Sequence, residues 1–176
     1  MISKISKYNI DLRLVEIEDA ELLISFRTDE RRKRFISATD RDVSKQIEWL
    51  RGYKSREAEG IEYYFIATDS NGEKFCTYRV YNFDDNIVEI GSWVTKPNYS
   101  NSLNSVKVDL LMKEFVFETL NFDKLCFEVR RDNKSVVRYH KLFGPRIIRE
   151  TDQDIFFELS KNTFYSNRLT KFKNIV

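Results

Sequence analysis

The stretch from Val94 to Gly144 constrains this chain most, because it reads as strand end, polar loop, long apolar helix, second strand and short helix in direct succession. The first strand ends near Val94, the loop is Lys96-Pro97-Asn98-Tyr99-Ser100-Asn101-Ser102, and the helix is predicted from about Asn104 to Leu120. A strand over Lys124 to Arg130 and a helix over Asn133 to Phe143 follow. Two strands joined through a helix lie parallel, so the order predicts a sheet with a parallel pair and a ligand crevice where strands give way to helices.

The rest of the chain supplies antiparallel neighbours for that unit. Ile10, Leu12 and Leu14 alternate with Asp11 and Arg13, the period of a half-buried strand over Ile10 to Val15. Glu18-Asp19 opens a helix ending near Arg27 or Thr28, and Thr39 to Asp42 has the shape of a capping box before a helix over Val43 to Arg56. Tyr63 to Thr68 and Lys74 to Tyr81 flank an Asn-Gly turn, and after Asp84-Asp85-Asn86 a third run, Ile87 to Val94, completes a meander. Past Gly144-Pro145, Arg146 to Arg149 and Gln153 to Leu159 form a closing antiparallel pair. The tail from Lys161 to Val176 mixes Phe164, Tyr165, Leu169 and Phe172 with basic residues, and a short helix, a partner-contact arm and a frayed end all remain open. The fold class is α/β (α+β), with about seven strands in the order β-α-α-β-β-β-α-β-α-β-β. One domain over residues 1–176 is expected, with its core at about 10–160 and a C-terminal extension.

Composition excludes several functions. Thirty basic against 28 acidic residues leave a net charge of +2, which argues against nucleic acid as a partner, and the run Glu30-Arg31-Arg32-Lys33-Arg34 reads first as a solvated surface. Cys76 and Cys126 lack spaced partners and His140 is the single histidine, so neither a disulfide framework nor a metal site is expected. No window is apolar enough for a signal peptide or a membrane span, so a cytoplasmic protein with no membrane partner is expected. The glycine-rich phosphate loops, the nucleophile elbow and the paired-histidine zinc motif are all missing, so kinase, dehydrogenase, hydrolase and zincin readings lose their main support.

What remains resembles the GNAT family of acyl-CoA N-acyltransferases, from about Ile10 to Leu159. The residues that carry the resemblance are Leu12-Arg13-Leu14, Asp19-Ala20 and Arg27; Gln46 to Leu50; Glu89-Ile90-Gly91-Ser92-Trp93-Val94; Phe115 to Leu120; Asn133-Lys134-Ser135; and Tyr139-His140-Lys141-Leu142-Phe143-Gly144. The branch it resembles holds ribosomal-protein acetyltransferases and acetyltransferases of nucleotide-linked amino sugars. The resemblance implies a sheet splayed between the fourth and fifth strands with acetyl-CoA in the gap. Trp93, Val94 and Thr95 would line the pantetheine, and Ser100, Asn101, Ser102, Leu103, Asn104 and Ser105 would face the phosphates at a helix N-terminus. Where the family loop carries two small residues as Q/R-x-x-G-x-G/A, this chain has no glycine, and Cys76 replaces a further one on the third strand.

The same resemblance implies Tyr139 as the acid that protonates the departing thiolate and places Asn133 near the cofactor, although Asn133 is first explained as a helix N-cap. Glu89, on the strand that meets the thioester, is the candidate base. Arg27, Arg31, Trp49 and Arg79 are the candidate acceptor-binding residues. The implied activity is transfer of an acetyl group from acetyl-CoA to a primary amine by direct attack. The acceptor is expected to be a small molecule, an amino sugar on a nucleotide carrier. A protein N-terminus, another small amine, and a non-catalytic module that has lost CoA binding are the alternatives. A homodimer is compatible with all of these.

Overall fold

The computed structural model describes residues 2, 4–30 and 33–173, so Arg31 and the last three positions of the tail lie outside the described residues. Eight strands form one sheet, one more than the sequence pattern predicts. The extra strand is β1 (Lys4–Lys7), which pairs with β2 (Ile10–Leu14) across a two-residue turn at Tyr8 and Asn9. Both turn residues have positive φ, 59° and 61°, the conformation that matches strand twist in a tight hairpin. Lys4-Ile5-Ser6-Lys7 has no alternating apolar face, which is why the pattern does not reveal it.

Two helices follow on one face of the sheet: α1 (Ala20–Arg27), entered through a tight turn over Ile17–Asp19, and α2 (Val43–Ala58). Asp42 caps α2 by accepting from the Ser44 amide at 2.8 Å, and the helix runs two residues beyond the predicted end. Leu23, Leu50 and Tyr53 are buried there against Val15, Tyr64 and Ile66. The strand β3 (Tyr63–Thr68) sends Tyr64 and Ile66 to this side and Phe65 and Ala67 to the other, as a two-residue period requires.

β4 (Lys74–Asp84) and β5 (Ile87–Thr95) complete the meander, and α3 (Ser102–Glu114) runs on into a π-helical turn over Phe115–Thr119. α3 starts two residues before the predicted point, capped by Asn101. All seven residues from Val108 to Glu114 are buried, so this helix is a core element rather than an amphipathic one. β6 (Lys124–Arg130), α4 (Lys134–Lys141), β7 (Arg146–Glu150) and β8 (Asp154–Ser160) follow as expected. β8 inserts between β6 and β7, giving the sheet order β1-β2-β3-β4-β5-β6-β8-β7.

The tail is settled by α5 (Lys161–Lys171), which Ser160 caps through the Thr163 amide at 3.2 Å. α5 buries Phe164 completely and brings Phe172 parallel to Phe143 at 4.6 Å. A phenylalanine removed from water in this way contributes roughly 1.5–3 kcal/mol, enough to hold a tail of ordinary helix propensity in place. No helix among the described residues is long and apolar enough to cross a membrane.

Candidate active site

The site begins where one ladder stops. β5 and β6 pair in parallel over only three rungs, Ile87↔Lys124, Val88↔Leu125 and Glu89↔Cys126. Beyond Glu89 the strands separate because each keeps a different partner. β6 stays paired with β8 along its whole length, whereas β5 stays with β4 and bends through a bulge. Thr77 pairs with Val94 and Arg79 with Gly91, so Ser92 and Trp93 together oppose Tyr78. Ser92 takes φ 50°, and its carbonyl accepts from Thr77 Oγ1 at 3.0 Å. This is the splay expected between the fourth and fifth strands of the sequence pattern.

The gap encloses about 230 Å³ between Ile90 to Trp93 on β5, Phe127 to Arg130 on β6, and Asn133, Val136 and His140 on α4. Gly91 has no room for a side chain, since a Cβ there would lie 2.8 Å from Tyr81 Oη. A second cavity of about 280 Å³ opens beside it, walled by Ser37 to Asp40, Lys45, Gln46, Trp49 and Tyr64. The two are adjacent, with Arg27, Ser37, Arg79 and Ser92 lining both.

Two guanidinium groups sit at that junction and both are held from behind. Arg79 Nε donates to Glu62 Oε1 at 2.6 Å, and its guanidinium lies 4.2 Å from the Tyr81 ring and 5.2 Å from Trp49. Glu62 is buried and also takes Arg56 Nε at 2.6 Å; burial opposes its charge, but the two arginines outweigh that and hold its carboxyl below the usual range. Arg27 donates from Nε to Thr39 Oγ1 at 2.6 Å and from Nη2 to Ser37 Oγ at 2.7 Å, tying α1 to the loop before α2. Trp49 stacks parallel to Tyr53 at 6.0 Å and keeps 38% of its surface exposed, an aromatic face at the cavity wall.

On the other side of the sheet, under the gap, lies a polar cluster that sequence reasoning missed. Asp109 and Lys113 of α3 are both fully buried and pair with each other. Tyr78 of β4 and Tyr139 of α4 each donate to the Asp109 carboxylate at 2.6 Å. Burial works against the carboxylate's charge, but Lys113 dominates and holds Asp109 below its ordinary range. Burial first, and then Asp109, raise the Tyr139 phenol well above the usual tyrosine range. His140 packs at 4.4 Å on Phe127, its Nδ1 has no hydrogen-bond partner among the described residues, and burial together with Lys113 pushes its pKa down to about 3. The i,i+4 spacing of Asp109 and Lys113 inside an apolar run was the available signal.

The start of α3 lies past the end of β5. Thr95 Oγ1 and Ser105 Oγ are 2.8 Å apart, Asn101 accepts from the Asn104 amide, and Asn104 Nδ2 donates to Tyr99 Oη at 2.7 Å. Tyr99 in turn donates to Asp69 and stacks on Phe75 at 4.5 Å, while Asn98 takes φ 59°. Side-chain hydrogen bonds and one left-handed asparagine thus fix the loop where glycines are lacking. The β5 edge beyond Glu89 has no ladder to β6, and the first-turn amides of a helix lack intrahelical acceptors; the two together suit an extended amide chain that ends in phosphates.

Of the residues expected at the site, Trp93 and Asn133 line the gap, Trp49 lines the second cavity, and Arg27 and Arg79 line both. Val94 and Thr95 continue along β5, and Ser100 to Ser105 form the entry to α3. Glu89 stands on the last rung of the ladder, accepting from Tyr81 Oη at 2.7 Å and Asn82 Nδ2 at 2.8 Å, and is not part of the gap lining. Tyr139 presents its hydroxyl to Asp109 rather than to the gap. Arg31 lies outside the described residues. Glu128, Gly91 and Ser92 line the gap without having been singled out for it. No cluster of three or more metal-ligating His, Cys, Asp or Glu side chains occurs among the described residues.

A mixed sheet that parts inside its parallel pair, with helices on both faces and a cleft at the parting, is the architecture of an acyl-CoA-dependent acyltransferase. The chain belongs to the GNAT acetyltransferase family: the acetyltransferase (GNAT) domain matches residues 9–145. Among solved structures it is similar to apo FdhC, described as a nucleotide-linked sugar GNAT, at 31% identity and a TM-score of 0.86, over 99% of this chain and 100% of that one. It shares the fold of the ribosomal-protein-S5-alanine acetyltransferase from Vibrio fischeri (10% identity, TM-score 0.77, 92% and 98% of the two chains). The same holds for a mutant of the spermidine N-acetyltransferase SpeG from Vibrio cholerae (12%, TM-score 0.72, 90% and 97%). No curated protein sequence matches the chain.

Proposed function

We propose that the protein transfers an acetyl group from acetyl-CoA to the primary amine of an amino sugar carried on a nucleotide. The observation that carries this reading is that the two cavities meet at Arg27, Ser37, Arg79 and Ser92, which line both. A donor lying along β5 meets there an acceptor held by two preset guanidinium groups and an aromatic face. Guanidinium forks match phosphate oxygens, and a half-exposed indole offers a flat surface to a base or sugar ring. Likeness to a nucleotide-linked sugar GNAT over both full lengths supports the same acceptor class.

Acetyl-CoA supplies the activated thioester. The open edge of β5 from Ile90 to Thr95 offers backbone groups to its amide chain, Ser100 to Ser105 lie where its phosphates would reach the α3 amides, and Asn133 borders the gap from α4. Arg27 and Arg79 bind the acceptor's diphosphate, and their partners Thr39, Ser37 and Glu62 fix them before it arrives. Such preorganisation lowers the entropy cost of placing the amine at the parting of the strands.

Two measurements test this. Acetyl-CoA at about 100 times its dissociation constant should stabilise the fold by roughly 2.7 kcal/mol. CoA release should be fast with a nucleotide-diphosphate amino sugar, and at least about tenfold slower at equal concentration with alanine-terminated peptides or spermidine. No thermal shift at millimolar acetyl-CoA, or a preference for peptide or polyamine, refutes the assignment.

A further inference from the structure

We propose that Glu128 is the general base that takes the proton from the acceptor's ammonium, an inference that rests on the acetyl-transfer reading above. Among the described residues three carboxylates line the two cavities: Asp40, Asp154 and Glu128. Asp40 is paired with Lys45 at 2.6 Å and Asp154 with Arg130 at 3.1 Å. Outside the lining, Glu89 is held by Tyr81 and Asn82, and Glu62 by Arg56 and Arg79. Glu128 makes no hydrogen bond and no ion pair among the described residues, so its oxygens are unclaimed in the gap wall.

Its side of the sheet is the second argument. Along β6, Leu125, Phe127 and Val129 are buried toward α3, which sends Cys126, Glu128 and Arg130 to the opposite face. Registration through Glu89↔Cys126, Tyr81↔Glu89, Arg79↔Gly91 and Tyr64↔Arg79 places Glu128 on the face shared by Arg79, Gly91 and the second cavity. Asp109 and the Tyr139 hydroxyl meet Tyr78, whose place on β4 next to Arg79 turns it to the other face. A base for the incoming amine belongs on the acceptor side, just past the rung where the strands part, and Glu128 stands there, two residues beyond Cys126 on the same face.

The charges around it favour proton uptake. Although the residue as a whole is exposed, partial desolvation first, then Asp154 from β8 and Glu89 from β5, raise its carboxyl above the ordinary range, against Arg130 on its own strand and Arg149 from β7. In the reaction the amine nitrogen, once its surplus proton has gone to a Glu128 oxygen, forms the C–N bond to the acyl carbon. The C–S bond breaks with its electron pair on sulfur, the nitrogen releases its second proton to solvent as the neutral amide forms, and the thiolate takes up one proton from solvent.

The test compares wild type, Glu128→Gln, Glu128→Asp and Glu89→Gln on the best acceptor of the amine panel, with acetyl-CoA affinity measured separately. Glu128→Gln should lower kcat about 100-fold, within the range of general-base catalysis, with acetyl-CoA binding unchanged. The acid limb of its kcat/KM profile should give way to a rate that climbs steadily with pH as free amine accumulates. Glu128→Asp should recover part of the rate, and Glu89→Gln should keep the wild-type acid limb. A Glu128→Gln enzyme within threefold of wild type, or one that is slow yet keeps the acid limb, overturns the base assignment alone. A wild-type protein inactive on every amine overturns both this proposal and the function on which it rests.

Discussion

Replacing Lys113 with methionine would remove the cation from a pair in which both side chains are fully buried, while leaving the carboxylate of Asp109 in place. Two tyrosine hydroxyls, from Tyr78 and Tyr139, would remain on that carboxylate, so its hydrogen bonds survive but its charge is no longer compensated. Breaking one side of a buried pair costs about 3–5 kcal/mol, because the remaining ion keeps its desolvation penalty and loses the attraction that offset it. For a chain of this length each kcal/mol moves Tm by roughly 2–4 °C, so a fall of about 6–20 °C is expected. Asp109→Asn should cost a similar amount, now by stranding the ammonium against the Phe143 ring 4.3 Å away. The double variant holds no buried charge at either position and should recover a coupling energy of about 2–3 kcal/mol. Urea unfolding of the four proteins, with equal m values, reads this directly. Additive losses within about 0.5 kcal/mol would refute the claim that Asp109 and Lys113 act as one unit.

Two further outcomes follow from the same cluster. His140 is neutral in the fold, with a pKa near 3, and takes a proton in the unfolded chain below its ordinary 6.5. Its contribution is therefore complete above pH 6.5 and is lost as pH falls toward 3, at up to about 1.4 kcal/mol per unit; His140→Phe should flatten the stability profile by that slope, and parallel profiles would contradict it. Tyr139→Phe removes a hydrogen bond to a buried carboxylate and should cost about 1.5–3 kcal/mol of stability with less than a tenfold change in kcat. A hundredfold loss of kcat at unchanged stability would instead make Tyr139 the proton donor.

The sequence by itself determined the element order, and the reason is local. Alternation in Ile10 to Leu14, the Asn-Gly turn before Lys74, the Asn101 cap and the Gly144-Pro145 stop are each written within a few residues, and each element they predict is present. Trp93, Arg27, Trp49 and Asn133 were singled out because the family pattern marks their places, and the fold brings them, with Arg79, to the lining of two adjacent cavities. β1 escaped because its four residues carry no periodic apolar face, and α5 was undecided because its apolar residues face a surface that other elements build.

Only the tertiary structure decided what the cleft residues can do. Glu89 and Tyr139 looked available on their strand and helix, but Tyr81, Asn82 and Asp109, brought in by other strands and helices, have taken up their polar atoms. Glu128 looked like one more strand residue until the ladder ended two positions before it, at Cys126, and left its carboxylate without a partner among the described residues. A side chain's reactivity depends on which neighbours compete for its protons and on how much water reaches it. Those neighbours come from distant parts of the chain, so local pattern fixes the scaffold and packing assigns the chemistry.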